Sequence, residues 1–216
     1  SPDGLWFSKA TGICWIQTDD GAFTDETNCM LVAAVPGTVG DGGAFTVTNT
    51  MTVSGASKTE TQNTFVGGIL GESRLRRFLV GPKGAEVTGI TETPDGKTLF
   101  VALQSAARQD LANAATRDNT RLFTYDVSNL DQIALTGEYA VQLPKFQQGA
   151  STLVAAQSEI LAVSDTQLFI LPRDSNGFLV GTQESNLRRV DVIDISAATN
   201  ILNESYEGQI APGGVL

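Results

Sequence analysis

Apolar and polar residues alternate in short runs along most of the chain, and glycine, proline or aspartate bounds nearly every run. Alternation with a period of two, closed by turn residues, indicates β-strands. The predicted strands span residues 5–7, 13–18, 29–35, 75–80, 86–91, 98–103, 121–127, 135–143, 159–163, 167–171 and 188–195. Two segments depart from this pattern. Residues 40–68 are rich in Gly, Thr and Ser and are predicted to be a polar insertion with one or two strands, whereas residues 105–117 fit a helix or a loop.

About a dozen short strands without regularly alternating helices predict an all-β fold, which could be a sandwich, a barrel or a propeller. Weak repeats favour the β-propeller. The turn sequence SPDG before LWF returns as TPDG shortly before LFV, and YDVS at 125–128 is echoed by IDIS at 193–196. At the usual repeat of about 40–45 residues per blade, the chain would supply about four or five blades.

Composition and charge narrow the functional classes. The formal net charge is −10, which is a poor match for the phosphates of nucleic acids and is repelled by anionic lipid. The charge has a simpler explanation in solubility. The sequence has no histidine, which excludes His-dependent nucleophile activation and His-ligated zinc within this chain. No run of eighteen apolar residues is present, so we expect no membrane span.

Two cysteines and the two ends of the chain bear on where the protein acts. Cys14 and Cys29 flank an acidic loop, and they would form either a disulfide in an exported protein or two free thiols. NES at 203–205 matches an acceptor for N-glycosylation. The chain starts abruptly at SPDG, and we expect it to be part of a larger precursor or to associate with itself.

Glu86 is the first candidate for chemistry. It stands between a glycine turn and the predicted strand 86–91, where the inner strand of a propeller blade would face the central channel. There its carboxylate could bind a metal ion or act as a base. The alternative is a solvated strand end.

Acidic residues also gather around the first predicted hairpin. The group comprises Asp3, Asp19, Asp20, Asp25 and Glu26. Calcium binds six to eight oxygen ligands, so oxygen-rich loops suit it, although the spacing differs from that of a helix-loop-helix calcium site. Asp3 lies in a Pro-Asp-Gly sequence and is also explained as a turn residue.

A third group of charged residues lies near the C-terminal strands. Glu159 and Asp165 flank one predicted strand, and Arg173 and Asp174 follow the next. Glu159 is a candidate metal ligand, and the guanidinium of Arg173 could hold two phosphate oxygens. A salt bridge at the edge of a blade is the alternative.

The first half of the chain resembles the PhoX-type alkaline phosphatases. The stretches that carry the resemblance are SPDGLWF (1–7), CWIQTD (14–19), RFLVGP (77–82), EVTG (86–89) and TPDGKTLFV (93–101). The resemblance implies an exported phosphomonoesterase that uses calcium and iron, held in a propeller channel. It places Glu86 as a metal ligand, with Asp3 and Asp19 as weaker candidates.

The second half resembles the phytase-like family described as having esterase-like activity. The matching stretches are RLFTYDV (121–127), LTGEY (135–139), SEILA (158–162), LPRD (171–174), DISAATNI (194–201) and IAPGGVL (210–216). This resemblance also implies an exported propeller. We therefore divide the chain into PhoX-like blades at 1–104, a connector at 105–119 and phytase-like blades at 120–216.

The sequence thus predicts a secreted, periplasmic or extracellular phosphoesterase acting on a phosphate ester, with Glu86 and Arg173 as catalytic residues. The predicted metal ligands are Glu86, Asp3, Asp19 and Glu159, with calcium as the metal and iron as the second metal. A non-catalytic propeller for adhesion or assembly is the main alternative. A calcium-stabilised module with a carbohydrate or lipid ligand is a third interpretation.

Overall fold

A computed structural model describes residues 2–19, 28–82, 85–176 and 184–202, and the predicted all-β class is confirmed. The strands are β1 (Pro2–Phe7), β2 (Cys14–Thr18), β3 (Met30–Ala34), β4 (Ala44–Val53), β5 (Ala56–Phe65), β6 (Leu75–Val80), β7 (Val87–Glu92), β8 (Thr98–Leu103), β9 (Asn119–Asp126), β10 (Ala134–Gln142), β11 (Lys145–Gln148), β12 (Ser151–Val154), β13 (Ala156–Ala162), β14 (Gln167–Arg173) and β15 (Asp191–Asp194). Residues 105–117, which were expected to form a helix or a loop, contain one helical turn, α1 (Arg108–Leu111).

The strands form three main antiparallel sheets in chain order. Sheet 1 has the order β1-β2-β3-β6, sheet 2 has the order β7-β8-β9-β10, and sheet 3 has the order β13-β14-β15. Within each sheet, strands that follow one another along the chain are neighbours, apart from the β4–β5 hairpin inserted between β3 and β6. The β4–β5 and β11–β12 hairpins form separate two-stranded sheets.

Sheet 2 is buried on both faces because its side chains alternate between two hydrophobic cores. Leu99, Val101 and Leu103 of β8 pack against sheet 1, where Trp15 and Leu31 are also buried. Phe100 and Ala102, the alternate residues of β8, pack against Leu168 and Ile170 of sheet 3. The three sheets are therefore stacked face to face, with sheet 2 in the middle.

The first strands of the three sheets lie side by side, and side chains bond them to one another. β7 contacts β1 on one side and β13 on the other. With its amide oxygen turned toward β7, Gln17 accepts hydrogen bonds from the N–H groups of Gly89 at 3.0 Å and Ile90 at 3.3 Å. On the other side, the Gln157 amide donates to Thr88 Oγ1 at 2.9 Å. These bonds satisfy polar groups on strand edges that would otherwise be buried without partners.

Each of these first strands carries a β-bulge near the same end of the stack. The register shifts between Pro2 and Gly4 in β1, between Val87 and Gly89 in β7, and between Gln157 and Ile160 in β13. The sequence prediction of a turn at residues 1–4 is wrong in this respect, because Pro2 pairs with Thr18 and Asp3 is the bulged residue of a strand. Bulges often change the direction of a side chain next to a functional site.

One of the two sequence repeats is structural and the other is not. In YDVS and IDIS, Asp126 and Asp194 end the third strand of their sheets, and each accepts a hydrogen bond of 2.9 Å from the serine two residues on. By contrast, Pro2-Asp3-Gly4 lies in a first strand, whereas Pro94-Asp95-Gly96 is the turn between β7 and β8. The Pro-Asp-Gly repeat therefore does not mark equivalent positions in two sheets.

The described residues form three main sheets rather than the predicted four or five blades, and these sheets do not close into a ring. The inserted hairpin and the β11–β12 segment lengthen the repeats. Cys14 and Cys29 are not joined in a disulfide, so the disulfide alternative is not formed. The described residues contain no helix of the length and hydrophobicity needed to cross a membrane. Asp20, Asp25, Glu26 and the acceptor at residues 203–205 lie outside the described residues.

Candidate functional site at the bulged end of the sheet stack

Glu86 lies directly before β7, at the end of the stack where the bulges occur. Its carboxylate Oε2 accepts a hydrogen bond of 2.5 Å from the side-chain amide of Gln104. The backbone joins the same two residues, because Gln104 N–H donates to the Glu86 carbonyl at 2.8 Å. Glu86 is half-buried. The β7–β8 pair therefore holds this carboxylate in a defined position at the rim of the stack.

Two further predicted ligands approach Glu86 from sheet 1. Burial, the neighbouring charges of Asp19 and Asp3, and a hydrogen bond with Asp3 together raise the pKa of Glu86 above its ordinary value. Asp3 is the bulged residue of β1, and Asp19 directly follows β2. Carboxylates that approach one another in this way repel when ionised, so the site favours a bound proton or a bound cation.

Arg173 reaches the same place from sheet 3. Its charge acts on Glu86 and opposes the rise of the pKa of that carboxyl. The Arg173 Nε group donates to Ser158 Oγ at 2.7 Å, and Nη1 donates to the Asp174 carbonyl at 3.3 Å. Among the described residues, none accepts a hydrogen bond from Nη2. The guanidinium is thus held by its own sheet and keeps donor capacity for a ligand.

Glu159 does not join this group. Its Oε1 accepts hydrogen bonds from the backbone N–H groups of Ile160 at 3.0 Å and of Ile90 at 3.3 Å. Burial raises the pKa of Glu159, although these two hydrogen bonds oppose the rise. Glu159 as a whole is exposed to solvent. Oε1 of this carboxylate therefore links β13 to the edge of β7, and its role as a metal ligand stays a prediction.

The described residues provide only some of the ligands that a metal ion needs at this site. Asp3 and Glu86 supply carboxylate oxygens, which are the ligand type that calcium prefers. Within residues 2–19, 28–82, 85–176 and 184–202, however, no three acidic or cysteine side chains lie close enough together to hold a metal ion. The donor chemistry fits a hard cation, and the number of protein ligands in the described part of the chain is small.

A buried ion cluster that the sequence did not reveal joins α1 to sheet 2. Arg121 donates through Nε and Nη2 to both carboxylate oxygens of Asp110, at 3.0 and 2.8 Å, and through Nη1 to Glu138 at 2.9 Å. All three side chains are more than nine-tenths buried. This bidentate pairing fixes α1 against β9 and β10.

A cavity of about 630 Å³ lies at the opposite end of β7 from Glu86. Trp6, Glu92 and Asp95 are among the residues that line it. Asp95 already accepts hydrogen bonds from Thr93 and Lys97 within its turn, which lowers its pKa to about 2. We place the candidate site at Glu86 because charged groups from three sheets converge there.

Gln104 and Ser158 are site residues that sequence reasoning missed. Predicted strands 86–91 and 98–103 form a hairpin, so the residue after the second strand must lie next to the residue that starts the first. That relation could have identified Gln104. Ser158 adjoins the predicted ligand Glu159, but only the bulge in β13 shows which of the two side chains meets Arg173.

Two family models match the chain. The phytase-like model, described as "Esterase-like activity of phytase", matches residues 76–212, which is more than half of the chain. The chain belongs to the phytase-like family. The model "Alkaline phosphatase PhoX" matches residues 1–107, so both models cover Glu86 and only the phytase-like model covers Arg173.

This phytase-like chain also has a relative among curated proteins. It is 36% identical over 141 residues to an "Uncharacterized secreted protein" of Arthroderma benhamiae, an alignment that covers 59% of this chain and 27% of the relative. The match thus spans about a quarter of that relative. No solved structure matches the chain significantly.

Proposed function

We propose that this phytase-like protein is an exported, metal-dependent phosphoesterase whose site lies at the bulged end of the sheet stack. The observation that carries the proposal is the convergence of Glu86, Asp3 and Asp19 with Arg173. These residues come from three separate sheets, and they combine oxygen ligands for a cation with a donor for a phosphate. Both matching families are named for phosphoester chemistry, and the relative is named as secreted.

We further propose that the stack is part of a β-propeller. Three successive antiparallel sheets, each starting with an inner strand beside the next, have the arrangement of adjacent blades. Both outer faces of the stack carry exposed apolar side chains, with Leu5 and Phe7 on sheet 1 and Phe169 and Val192 on sheet 3. In a propeller, neighbouring blades cover such faces.

In this proposal Asp3 and Glu86 hold the cation, and Asp19 adds negative charge nearby. Calcium suits these oxygen ligands, and iron is the second metal that the PhoX resemblance implies. When bound, the cation supplies Lewis-acid polarisation of a phosphoryl oxygen. Asp3 lies at the bulge of β1, and Gln104 holds Glu86 by the hydrogen bond described above.

Protein side chains also bind and orient the phosphate in this proposal. Arg173 orients the phosphate through its Nη groups while Ser158 holds its Nε. The raised pKa of Glu86 belongs to the metal-free site, and a bound cation would keep its carboxylate ionised as a ligand. Glu159 has no catalytic part here because its carboxylate is bonded to backbone N–H groups.

Metal content and turnover, measured on the full protein, test the proposal. We expect bound calcium or iron, and hydrolysis of 4-nitrophenyl phosphate that a chelator abolishes and added metal restores. Glu86→Gln should remove both metal and turnover. Glu60→Gln, which changes an exposed carboxylate on the β4–β5 hairpin, should change neither. A folded protein without metal and without turnover on any phosphate ester would overturn the proposal and favour the structural alternative.

A further inference from the structure

β4 and β5 form a ribbon that stands apart from the sheet stack. Among the strands that the structure describes, they pair only with each other, over ten residues each and without a register shift. No other described element makes more than marginal contact with them, and every residue except Val47 is exposed. An isolated two-stranded hairpin is marginally stable in water, and a third strand normally provides the missing stability.

The two edges of this ribbon can be assigned from its hydrogen bonds. At its base, Val66 N–H donates to the Gly43 carbonyl at 3.1 Å. Bonded and non-bonded pairs alternate along an antiparallel ladder, so the odd-numbered residues of β4 bond to β5. The even-numbered residues of β4 are Ala44 and four threonines. They direct their N–H and C=O groups to the free edge. Thr46, Thr48, Thr50 and Thr52 therefore present unpaired backbone groups.

The free edges of β4 and β5 differ in protection. Natural proteins protect an edge strand with charges, proline or a bulge. β5 carries Lys58 and Glu60, which form an ion pair of 3.3 Å. β4, with the sequence AFTVTNTMTV, has no charged residue, no proline and no bulge. Its edge is thus open to another strand, whereas the β5 edge is protected by charge.

We propose that the free edge of β4 pairs antiparallel with β4 of a second copy of this protein, about a two-fold axis at Asn49. The sequence is self-complementary about this residue. Thr48 would lie opposite the partner's Thr50 and Thr46 opposite the partner's Thr52. The outward backbone groups of these threonines would form about eight hydrogen bonds between the two chains.

The same register matches the side chains. Val47 lies opposite the partner's Met51, and Phe45 lies opposite the partner's Val53. Phe45 and Met51 are more than half exposed in the single chain, so this pairing brings their apolar surfaces together on one face of a four-stranded sheet. If the axis moved by one residue, the register would change by two and threonine would still lie opposite threonine. If the axis lay between two residues, the register would change by one and threonine would lie opposite apolar side chains.

Charge also favours a second copy. Lys58 and Glu60 would occupy the outer strands of the four-stranded sheet, so no charge of one copy would face a like charge of the other across β4. This interaction is separate from the Glu86 site and does not depend on the proposed phosphoesterase activity.

Sedimentation of the full protein over a range of micromolar concentrations tests the pairing. We expect a dimer that dissociates on dilution. Thr50→Pro removes an outward N–H of β4 and should give a monomer at every concentration. Thr59→Pro is the matched control, because Thr59 faces Thr50 across the ribbon and its N–H points to the opposite edge. A wild-type protein that stays monomeric, or equal dissociation of both variants, would overturn the proposal.

Disulfide trapping gives an independent readout. Asn49 lies on the proposed axis, where the two Cβ atoms of a non-bonded pair come close enough for a disulfide. Asn49→Cys should form a covalent dimer under mild oxidation, above the background from Cys14 and Cys29 in the wild type. Glu60→Cys, on the neighbouring strand, should not. Equal cross-linking of the two variants would contradict pairing through β4.

Discussion

The side-chain nitrogen of Gln104 lies 2.5 Å from Oε2 of Glu86, and the two residues are joined a second time through their backbone. This double link closes the open end of the β7–β8 hairpin. The carboxyl of Glu86 also interacts with Asp3 and Asp19 of sheet 1. Glu86 is therefore held toward Asp3 rather than free to turn into solvent.

Replacing Glu86 should stabilise the metal-free protein at neutral pH. The pKa of Glu86 is raised in the folded state, mainly by burial and by Asp19 and Asp3. The folded state therefore binds the proton more tightly than the unfolded chain, and stability falls as pH rises from about 4.5 through the folded pKa. In chelator at pH 7, we expect Glu86→Gln to raise the free energy of unfolding by a few tenths to about 1 kcal/mol, after allowance for solvent screening.

Urea unfolding at two pH values checks this expectation. The gain from Glu86→Gln should vanish below pH 4.5, where the carboxyl is protonated in both states, and added calcium should stabilise only the wild type. Glu60→Gln serves as the control and should leave stability almost unchanged at either pH. A loss of stability at pH 7 in Glu86→Gln would show that the acidic residues do not repel one another as the structure indicates.

Replacing Arg173 tests the phosphate-binding role. Hydrogen bonds to charged groups contribute about 1.5–3 kcal/mol, so Arg173→Met should raise KM for a phosphate ester by roughly 10- to 100-fold. Arg173→Lys keeps the charge but loses the paired donors and should recover only part of this loss. Arg189→Met, which removes an exposed guanidinium paired with Asp191, is the control. Steady-state kinetics with unchanged KM in Arg173→Met would contradict the role.

Strand positions were predictable from sequence where turn residues and alternation agree. β8 has the predicted bounds because Pro94-Asp95-Gly96 turns the chain just before it, and Gly96 adopts a positive φ of 71°. The same kind of signal misled at Asp3. There, pairing of Pro2 and Gly4 with β2 makes a bulged strand out of a sequence that reads locally as a turn, and only the tertiary partner decides between the two.

The site was predictable as a set of residue types and only partly as an arrangement. Glu86, Asp3, Asp19 and Arg173 were each identified from their own surroundings in sequence, and the structure brings them together. Glu159 has the same chemistry, but its bulge in β13 turns it to the backbone of Ile90. The position of a bulge depends on the pairing of two strands, which a single sequence does not specify.

Arg121 should be among the most important charged residues for stability. It lies between Asp110 and Glu138 and is almost fully buried. Arg121→Met would leave two buried carboxylates without their cation, and loss of one partner of such a cluster costs about 3–5 kcal/mol. Without the guanidinium, the folded state of the variant should bind protons at these buried carboxylates more readily, so the deficit should shrink as pH falls. Urea unfolding at pH 8 and pH 5 measures both effects.

The matched comparison for Arg121 is an exposed ion pair. Arg189→Met should cost less than about 1 kcal/mol at both pH values, because its interaction with Asp191 is solvated. If Arg121→Met were equally mild and independent of pH, the buried cluster would contribute little. If it failed to fold, the single variants Asp110→Asn and Glu138→Gln would still allow the pH dependence to be measured.

The spacing between β7 and β13 depends on Gly89, which lies beside Ile160 across the junction of sheets 2 and 3. A Cβ at Gly89 would meet Ile160 Cγ1 at 3.0 Å and Ala102 Cβ at 3.3 Å, and both neighbours are buried. Gly89→Ala should therefore push the sheets apart and cost about 1–3 kcal/mol. Gly67→Ala is the control, since its Cβ would meet nothing closer than 3.9 Å.

Truncating Ile160 to alanine should make room for the added methyl group, so the double variant should lose less stability than the sum of the single variants. Simple additivity in thermal or urea unfolding would show that Gly89 and Ile160 do not set the distance between the two sheets.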